Sequence, residues 1–322
     1  MKVLLIDADS TIPNLALMRL SAYHKKLGDM VDIMQLHIPY LPVRNKETRI
    51  VDTNPYDKIY CSIIFDTNKD YVSGDNIVFG GTGVSLNTCL SDEIEKCSPD
   101  YSIYPDNDIS YGFMTRGCIR HCYFCKVPEK EGGIHLVHEP EDIVRFHKTK
   151  FLDNNILAYN DHKRLLQKII DMKVRVQFNQ GLDIRLLDEE NSELLHKLRY
   201  IDNHTFAFDD IRYRKMIDEK FKLLSWCKPW RLTFFVYVHP SMQLSDTIQR
   251  INWARERDAL PFVMRDVSCW YAPYKDFYTD LASWCNQPHI FIRMGFEQFI
   301  YKRHPKGDRA DISYRLYKQL DK

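Results

Sequence analysis

The sequence predicts an α/β protein in three stretches. A small doubly wound α/β domain is expected over residues 1–105, a run of strand–helix units over 106–299, and a basic extension over 300–322. Three observations predict it. Short apolar runs alternate with helical stripes along the chain. Most of those runs end in Asp, Asn, Gly or His. In the second stretch the alternation repeats at intervals of roughly 25–30 residues, the pattern of α/β folds. With 322 residues, 44% hydrophobic and 28% charged, the chain has the material for about two packed domains and is not a disordered protein.

Residues 2–6, KVLLI, form a continuous apolar run ended by Asp7 and Asp9, as in a buried parallel strand. Pro13 and Asn14 open a helix with Leu17, Leu20, Tyr23 and Leu27 on one stripe and Gly28 at its end. Residues 31–36, 58–65 and 76–79 read as further strands, the last running into Gly80, Gly81, Thr82 and Gly83. Those glycines can offer backbone N–H groups to a phosphate or simply make a tight turn. Residues 99–108, rich in Pro, Asp, Asn and Ser, read as a linker.

Residues 110–115 are the first strand of the second stretch. A helix follows Pro140, and residues 150–152 and 156–158 flank Asp153, Asn154 and Asn155 at the end of the next strand. Strands then fall at 174–178, 205–208, 232–238 and 261–264, with helices at 163–172, 188–198, 215–226, 246–257 and 274–284. Asp188, Glu189 and Glu190 stand in the first turn of their helix, where its dipole favours acid. This spacing fits a (β/α) barrel and an open doubly wound sheet equally. In both, ligands collect at the carboxyl ends of the strands. Those ends carry Asp153, Asn154, Gln177, Asn179, Gln180, Asp209, Asp210, Tyr237, His239, Arg265 and Asp266, a polar set that points to a pocket.

The chemistry is concentrated in residues 111–131, YGFMTRGCIRHCYFCKVPEKE, where Cys118, Cys122 and Cys125 stand in C-x3-C-x2-C spacing between Gly117 and the pair Gly132 and Gly133. Soft thiolates select zinc or an iron–sulfur cluster. A structural zinc site wants four ligands, and His121, His135 and His138 are candidates for the fourth. A four-iron cluster held by three cysteines instead keeps one iron open.

This motif, with Phe124 directly before its third cysteine, resembles that of the radical S-adenosylmethionine superfamily. The resemblance is specific for the loop, is supported over 111–299 by the strand–helix alternation, and is loose over the first hundred or so residues. It implies a partial (β/α)6 barrel, a 4Fe-4S cluster on Cys118, Cys122 and Cys125, and S-adenosylmethionine chelated at the open iron. It further implies reductive cleavage of the sulfonium to a 5′-deoxyadenosyl radical that abstracts hydrogen from a substrate. Phe124 is then expected near the adenine. Asp153 and Asn154 stand where the family often has a Gly-Gly-Glu segment, absent here. Gln177, Asn179 or Asp209 are expected on the ribose hydroxyls or the methionine carboxylate, as side-chain donors and acceptors suit those groups. Arg116 and Arg120 are cations placed to tune a cluster or to face solvent. An electron donor such as flavodoxin or ferredoxin is expected as partner. The residue acting on the substrate is not identified.

The first stretch resembles the cobalamin-binding domain that precedes many such cores, through its element order, Ser62 and the Gly80–Gly81 pair. That domain's D-x-H-x-x-G signature is missing, since residues 7–13 read DADSTIP. The sequence thus speaks against cobalamin, with binding lacking a protein cobalt ligand left open. Two rival readings stand beside the radical enzyme: a cobalamin-assisted methylase and a non-catalytic iron–sulfur redox or binding protein.

The nine cysteines form no secreted-type framework, and no signal segment or run of eighteen apolar residues appears. A cytoplasmic, oxygen-sensitive protein with no membrane association is expected. Net charge is +1, with ten basic against fourteen acidic residues in 1–105 and seven against three in 301–322. In the tail, Tyr301, Tyr314 and Tyr317 interleave with Lys302, Arg303, Lys306, Arg309 and Arg315. That composition suits RNA, and it equally suits an amphipathic helix docking through Leu316 and Leu320.

Overall fold

Strand β1 (Lys2–Asp7) sits inside a sheet because both of its faces are apolar. Val3 and Leu5 pack with Leu17, Met18 and Leu20, while Leu4 and Ile6 pack with Ile59, Cys61 and Ile63. The chain is a computed structural model describing residues 1–39 and 46–321. Beside β1 run β2 (Met30–Gln35) and β3 (Lys58–Ser62), with β4 (Ile77–Gly80) beyond β3. All are parallel, in the order β2–β1–β3–β4. The reversal of direction at β1 defines a doubly wound sheet. Helix α1 (Leu15–Lys26) begins at Asn14, whose side chain accepts from the amides of Ala16 and Leu17 at 3.1 and 3.3 Å.

The third strand stops at Ser62 rather than reaching 65. The Asp9 carboxylate takes the amides of Ile64 (2.8 Å) and Phe65 (3.1 Å), turning the chain out of the sheet. Contacts group Met1–Gly112, His121–Gly132 and Val144–Phe146 into one unit, which includes β5 (Ile109–Gly112). Phe113–Arg120, Gly133–Ile143 and His147–Lys322 form the other.

In the second unit, β6 (Lys148–Phe151), β7 (Arg175–Phe178), β8 (His204–Ala207), β9 (Leu232–Val238) and β10 (Leu260–Arg265) follow one another side by side in chain order. The β6–β7, β8–β9 and β9–β10 pairs are parallel. Between β7 and β8 the link is a parallel bridge, with Leu182 N–H donating to Thr205 O at 2.8 Å and Ala207 N–H to Leu182 O at 3.0 Å. The Gln177 amide spans the same gap to Asn203 O (2.9 Å) and Thr205 Oγ1 (3.2 Å). Chain-order succession without reversal is the arrangement of a (β/α) barrel wall, and among the described residues no strand pairs with the far edge of β10. The helices between them are α2 (His162–Met172), α3 (Glu189–Lys197), α4 (Arg214–Phe221), α5 (Leu244–Arg255) and α6 (Lys275–Cys285). Asp188 and Asn191 form a capping box on α3.

The expected break at residue 300 falls inside a helix. After α7 (Pro288–Arg293), both α8 (Phe296–Arg303) and α9 (Arg309–Leu320) belong to the second unit's core. Their anchor is Asp280 on α6, fully buried, whose carboxylate accepts from His304 (3.0 Å), Arg309 (2.9 Å) and Ser313 (2.9 Å). Burial raises the Asp280 pKa, and these partners more than reverse it, leaving the carboxylate ionised. Tyr317 stacks on Phe296 at 4.7 Å, Tyr301 donates to Asp311, and Tyr314 meets the Tyr301 ring edge-on at 6.1 Å, so all three tail tyrosines are engaged within the protein. Lys322, the last basic residue of the tail, lies outside the described residues.

Candidate functional site

The cysteine loop has a built neck. Thr115 and Arg116 pair antiparallel with Leu136 and His135, so residues 117–134 leave and return at one place. Gly117 turns the chain there with φ +81°, a conformation other residues adopt poorly. Asp153, at the carboxyl end of β6, clamps the neck: its carboxylate accepts from Met114 N (3.2 Å), Thr115 N (2.5 Å) and Thr115 Oγ1 (2.7 Å). Burial pushes its pKa up to about 6 against the pull of these donors.

All three cysteines are half-buried. Cys122 and Cys125 sit on one turn, with Cys125 N–H donating to Cys122 O at 2.9 Å. The Cys118 sulfur accepts from the Arg120 amide at 3.3 Å and from Asn155 Nδ2 at 3.6 Å. N–H donors to a cysteine sulfur raise the potential of a cluster bound to it. Phe124 is half-buried and meets Tyr123 edge-to-face at 5.4 Å. Among the described residues no three His, Cys, Asp or Glu side chains are gathered as a single metal ion would hold them. A cube, with its irons at separate corners, spaces its cysteines more widely than one ion does. His135, a candidate fourth zinc ligand, has Nδ1 3.0 Å from Gly133 O.

The strand ends of the second unit supply polar atoms. Asn154 is half-buried and Asn155 is buried. With Nδ2 on Cys118, Asn155 keeps its Oδ1 buried without a partner, and Gln177 Oε1 is in the same condition. Asn179 donates its backbone N–H to Phe151 O at 2.9 Å. Asp209 accepts from Tyr237 N at 3.0 Å; burial raises its pKa, opposed by that amide and by Arg250. At the next ends Tyr237 Oη donates to Asp266 at 2.8 Å, and Ser268 holds the other carboxylate oxygen at 2.6 Å. Burial of Asp266 is outweighed by these donors, so its pKa is lowered.

Sequence reasoning missed two features here. The Asn155 side chain, not a neighbour's, reaches the sulfur. Arg120, inside the motif, is tied by Nε to Asp183 at 2.9 Å, and Asp183 also takes Arg185 Nε at 2.6 Å. Despite burial, the two guanidiniums hold the Asp183 pKa below the ordinary value. The only sequence signal was an arginine within the motif and an aspartate just past a strand end.

In the first unit, the strand ends at the switch of order are filled by the chain itself. Asn14 donates to Ser62 Oγ at 2.9 Å and to Ser10 Oγ at 3.0 Å. Tyr104 donates to Asp7 at 2.7 Å, and Asn68 to Asp9 at 2.9 Å. A Cβ on Gly81 would lie 2.3 Å from Ile63 O and one on Gly83 2.7 Å from Phe65 O, so these glycines make room for the chain's own backbone. No histidine lies in the loop after β1.

No family profile and no curated protein matches the chain. Solved structures do. The radical S-adenosylmethionine methyltransferase TsrM from Kitasatospora setae, with cobalamin and a 4Fe-4S cluster bound, superposes with a TM-score of 0.55 at 11% identity, over 82% of this chain and 74% of that one. The same protein with tryptophan substrate and the analogue aza-SAM gives 0.57 at 12%, over 81% and 72%. The likeness is one of fold. This chain has the radical S-adenosylmethionine fold with a cobalamin-binding-like domain before it.

Proposed function

We propose that the chain is a radical S-adenosylmethionine enzyme, with Cys118, Cys122 and Cys125 holding a 4Fe-4S cluster and the strand ends of the second unit holding S-adenosylmethionine. The observation that carries this is the buried Asn155 amide, which donates to Cys118 Sγ and leaves Oδ1 without a partner. A buried acceptor of that kind calls for a donor, and the amino group of a bound S-adenosylmethionine would bring N–H groups to it. The donor set fits as well: three thiols on one irregular loop, with backbone and side-chain N–H groups on the first sulfur.

A cluster held by Cys118, Cys122 and Cys125 would supply one electron for reductive cleavage of the sulfonium of S-adenosylmethionine. A small electron carrier such as flavodoxin or ferredoxin would supply the electron used in each cleavage. The chain's own residues bind and orient. Asp153 fixes the neck from which the loop springs. Asp183 fixes Arg120, two residues past Cys118, as a cation beside an anionic centre. Gln177 Oε1, Asn179 and Asp209 offer acceptors for the ribose hydroxyls, and Phe124 lines the adenine.

A second reading, cobalamin-assisted methyl transfer, is favoured by the structural neighbours, one of which carries cobalamin. They lend no support to the expectation against it. The first unit has the matching strand order, yet its residues do not fit the ligand as they stand. The Asn14–Ser62 and Asp9–Asn68 bonds occupy the strand ends where the ligand would enter. Stoichiometric retention of hydroxocobalamin by the purified protein decides for this reading, and no retention decides against it.

The primary reading is tested by anaerobic reconstitution followed by binding of S-adenosylmethionine. Asn155→Leu is expected to keep the iron content while weakening binding at least about tenfold, the loss of one hydrogen bond to a charged group. Unchanged binding in that variant removes the argument from Asn155.

A further inference from the structure

At the amino-terminal ends of β8 and β9, opposite the ends that carry Asp209 and Asp266, the second unit has a pocket of about 410 Å³. Trp226 forms its wall, held by Nε1 donating to Ser192 Oγ at 2.9 Å, stacked by His196 at 4.9 Å and met edge-on by His204 at 5.1 Å. Tyr200 packs on His204 with ring centroids 3.8 Å apart. Two polar atoms there are buried without partners among the described residues, Tyr200 Oη and His204 Nδ1, and the His204 residue is only 6% exposed. The exposed residues on the rim are His196, Arg199, Lys228 and Arg231, three of them permanent cations, and no carboxylate is among the lining residues.

From the orphaned Tyr200 hydroxyl and His204 nitrogen inside a rim of three cations, we infer that this pocket binds the phosphate group of a small ligand. A buried hydroxyl without an acceptor is costly. Water would relieve it but would leave the cations unanswered, whereas a phosphate oxygen accepts from the hydroxyl and its charge faces the guanidiniums. His204 supports this. Burial first, then Arg231 and His196, lowers its pKa to about 4, so the ring is neutral near neutral pH and does not add to the rim's charge. The site stands at the other end of the strands from the proposed S-adenosylmethionine site, and its ligand is independent of that reading.

The test uses the full-length protein without added cofactor, titrated with inorganic phosphate at an ionic strength matched with chloride. Affinity is followed by phosphorus NMR, and stability by thermal unfolding. Saturable binding with a rise in Tm that tracks phosphate concentration is expected. Tyr200→Phe and Arg231→Gln should each weaken binding at least about tenfold. Tyr200→Phe deletes a hydroxyl that has no partner, so its phosphate-free Tm should hold or rise, which separates lost binding from lost folding. A second titration with AMP identifies the source: tighter binding than inorganic phosphate assigns an ester with an aromatic body, and equal binding assigns the free ion. Absence of a phosphate-specific response, or equal affinity in both variants and the parent, overturns the inference.

Discussion

The two units solve one topological problem in opposite ways. Both are parallel sheets whose carboxyl ends are the natural place for a ligand. The first unit closes that place with its own groups: Asp9 on the amides of Ile64 and Phe65, Asn14 on Ser62, and the bare α-carbons of Gly81 and Gly83 against neighbouring backbone. The second leaves acceptors unfilled among the described residues, Gln177 Oε1 within a strand and Asn155 Oδ1 on the side chain that reaches a cysteine sulfur, which already receives two N–H donors. Shared architecture therefore does not mean shared readiness to bind. The state of the polar atoms at the strand ends separates a scaffold from a site.

That contrast is open to direct attack. The largest effect is expected from Ala at Cys118, Cys122 or Cys125, each of which should abolish iron uptake and 5′-deoxyadenosine formation, read by iron assay and product chromatography. Next comes Asp153→Ala. It strands the amides of Met114 and Thr115 and should cost about 3 kcal/mol in denaturant unfolding, with loss below 1 kcal/mol contradicting the clamp. In the first unit, Gly81→Ala meets Ile63 O at 2.3 Å from a φ of +95°. It should destabilise by about 2–3 kcal/mol, and a neutral result would show that the crevice is looser than described.

A pH series probes the same clamp. The folded pKa of Asp153 is raised, to about 6 from 3.8, so the native state holds this proton more tightly than the unfolded chain. Its contribution to stability is thus fully present below the unfolded value and declines as pH rises through about 6, by up to about 3 kcal/mol. Asp153→Asn should flatten that part of the unfolding profile between pH 4 and 7. The smallest effect is expected at Arg120→Gln, which removes a half-exposed pair with Asp183. A shift of the cluster potential with little change in Tm fits tuning, whereas a large fall in Tm would make the pair a structural tie.

Much of this was legible in the sequence, for identifiable reasons. β1 announces itself because a strand buried on both faces must be apolar throughout, and α1 because Asn14 is a good cap. The cysteine spacing is local and needs no fold to be read. What stayed hidden depends on contacts between distant residues. The early end of β3 is imposed by Asp9, some fifty residues away in sequence. Three polar residues in a row, Asp153 to Asn155, gave no sign of which would clamp the neck and which would face the sulfur, since one step along an irregular loop reverses the outcome. The tail read as a separate basic extension because its charges are visible in sequence, while Asp280, the buried anion that ties it down, is one aspartate among many.

The most direct measurement is single-turnover cleavage of S-adenosylmethionine by the anaerobically reconstituted, chemically reduced protein. The account predicts methionine and 5′-deoxyadenosine in equal amounts from the parent, and neither from Cys122→Ala. Cleavage that persists in Cys122→Ala, or a cluster-loaded parent that forms no 5′-deoxyadenosine, would contradict it.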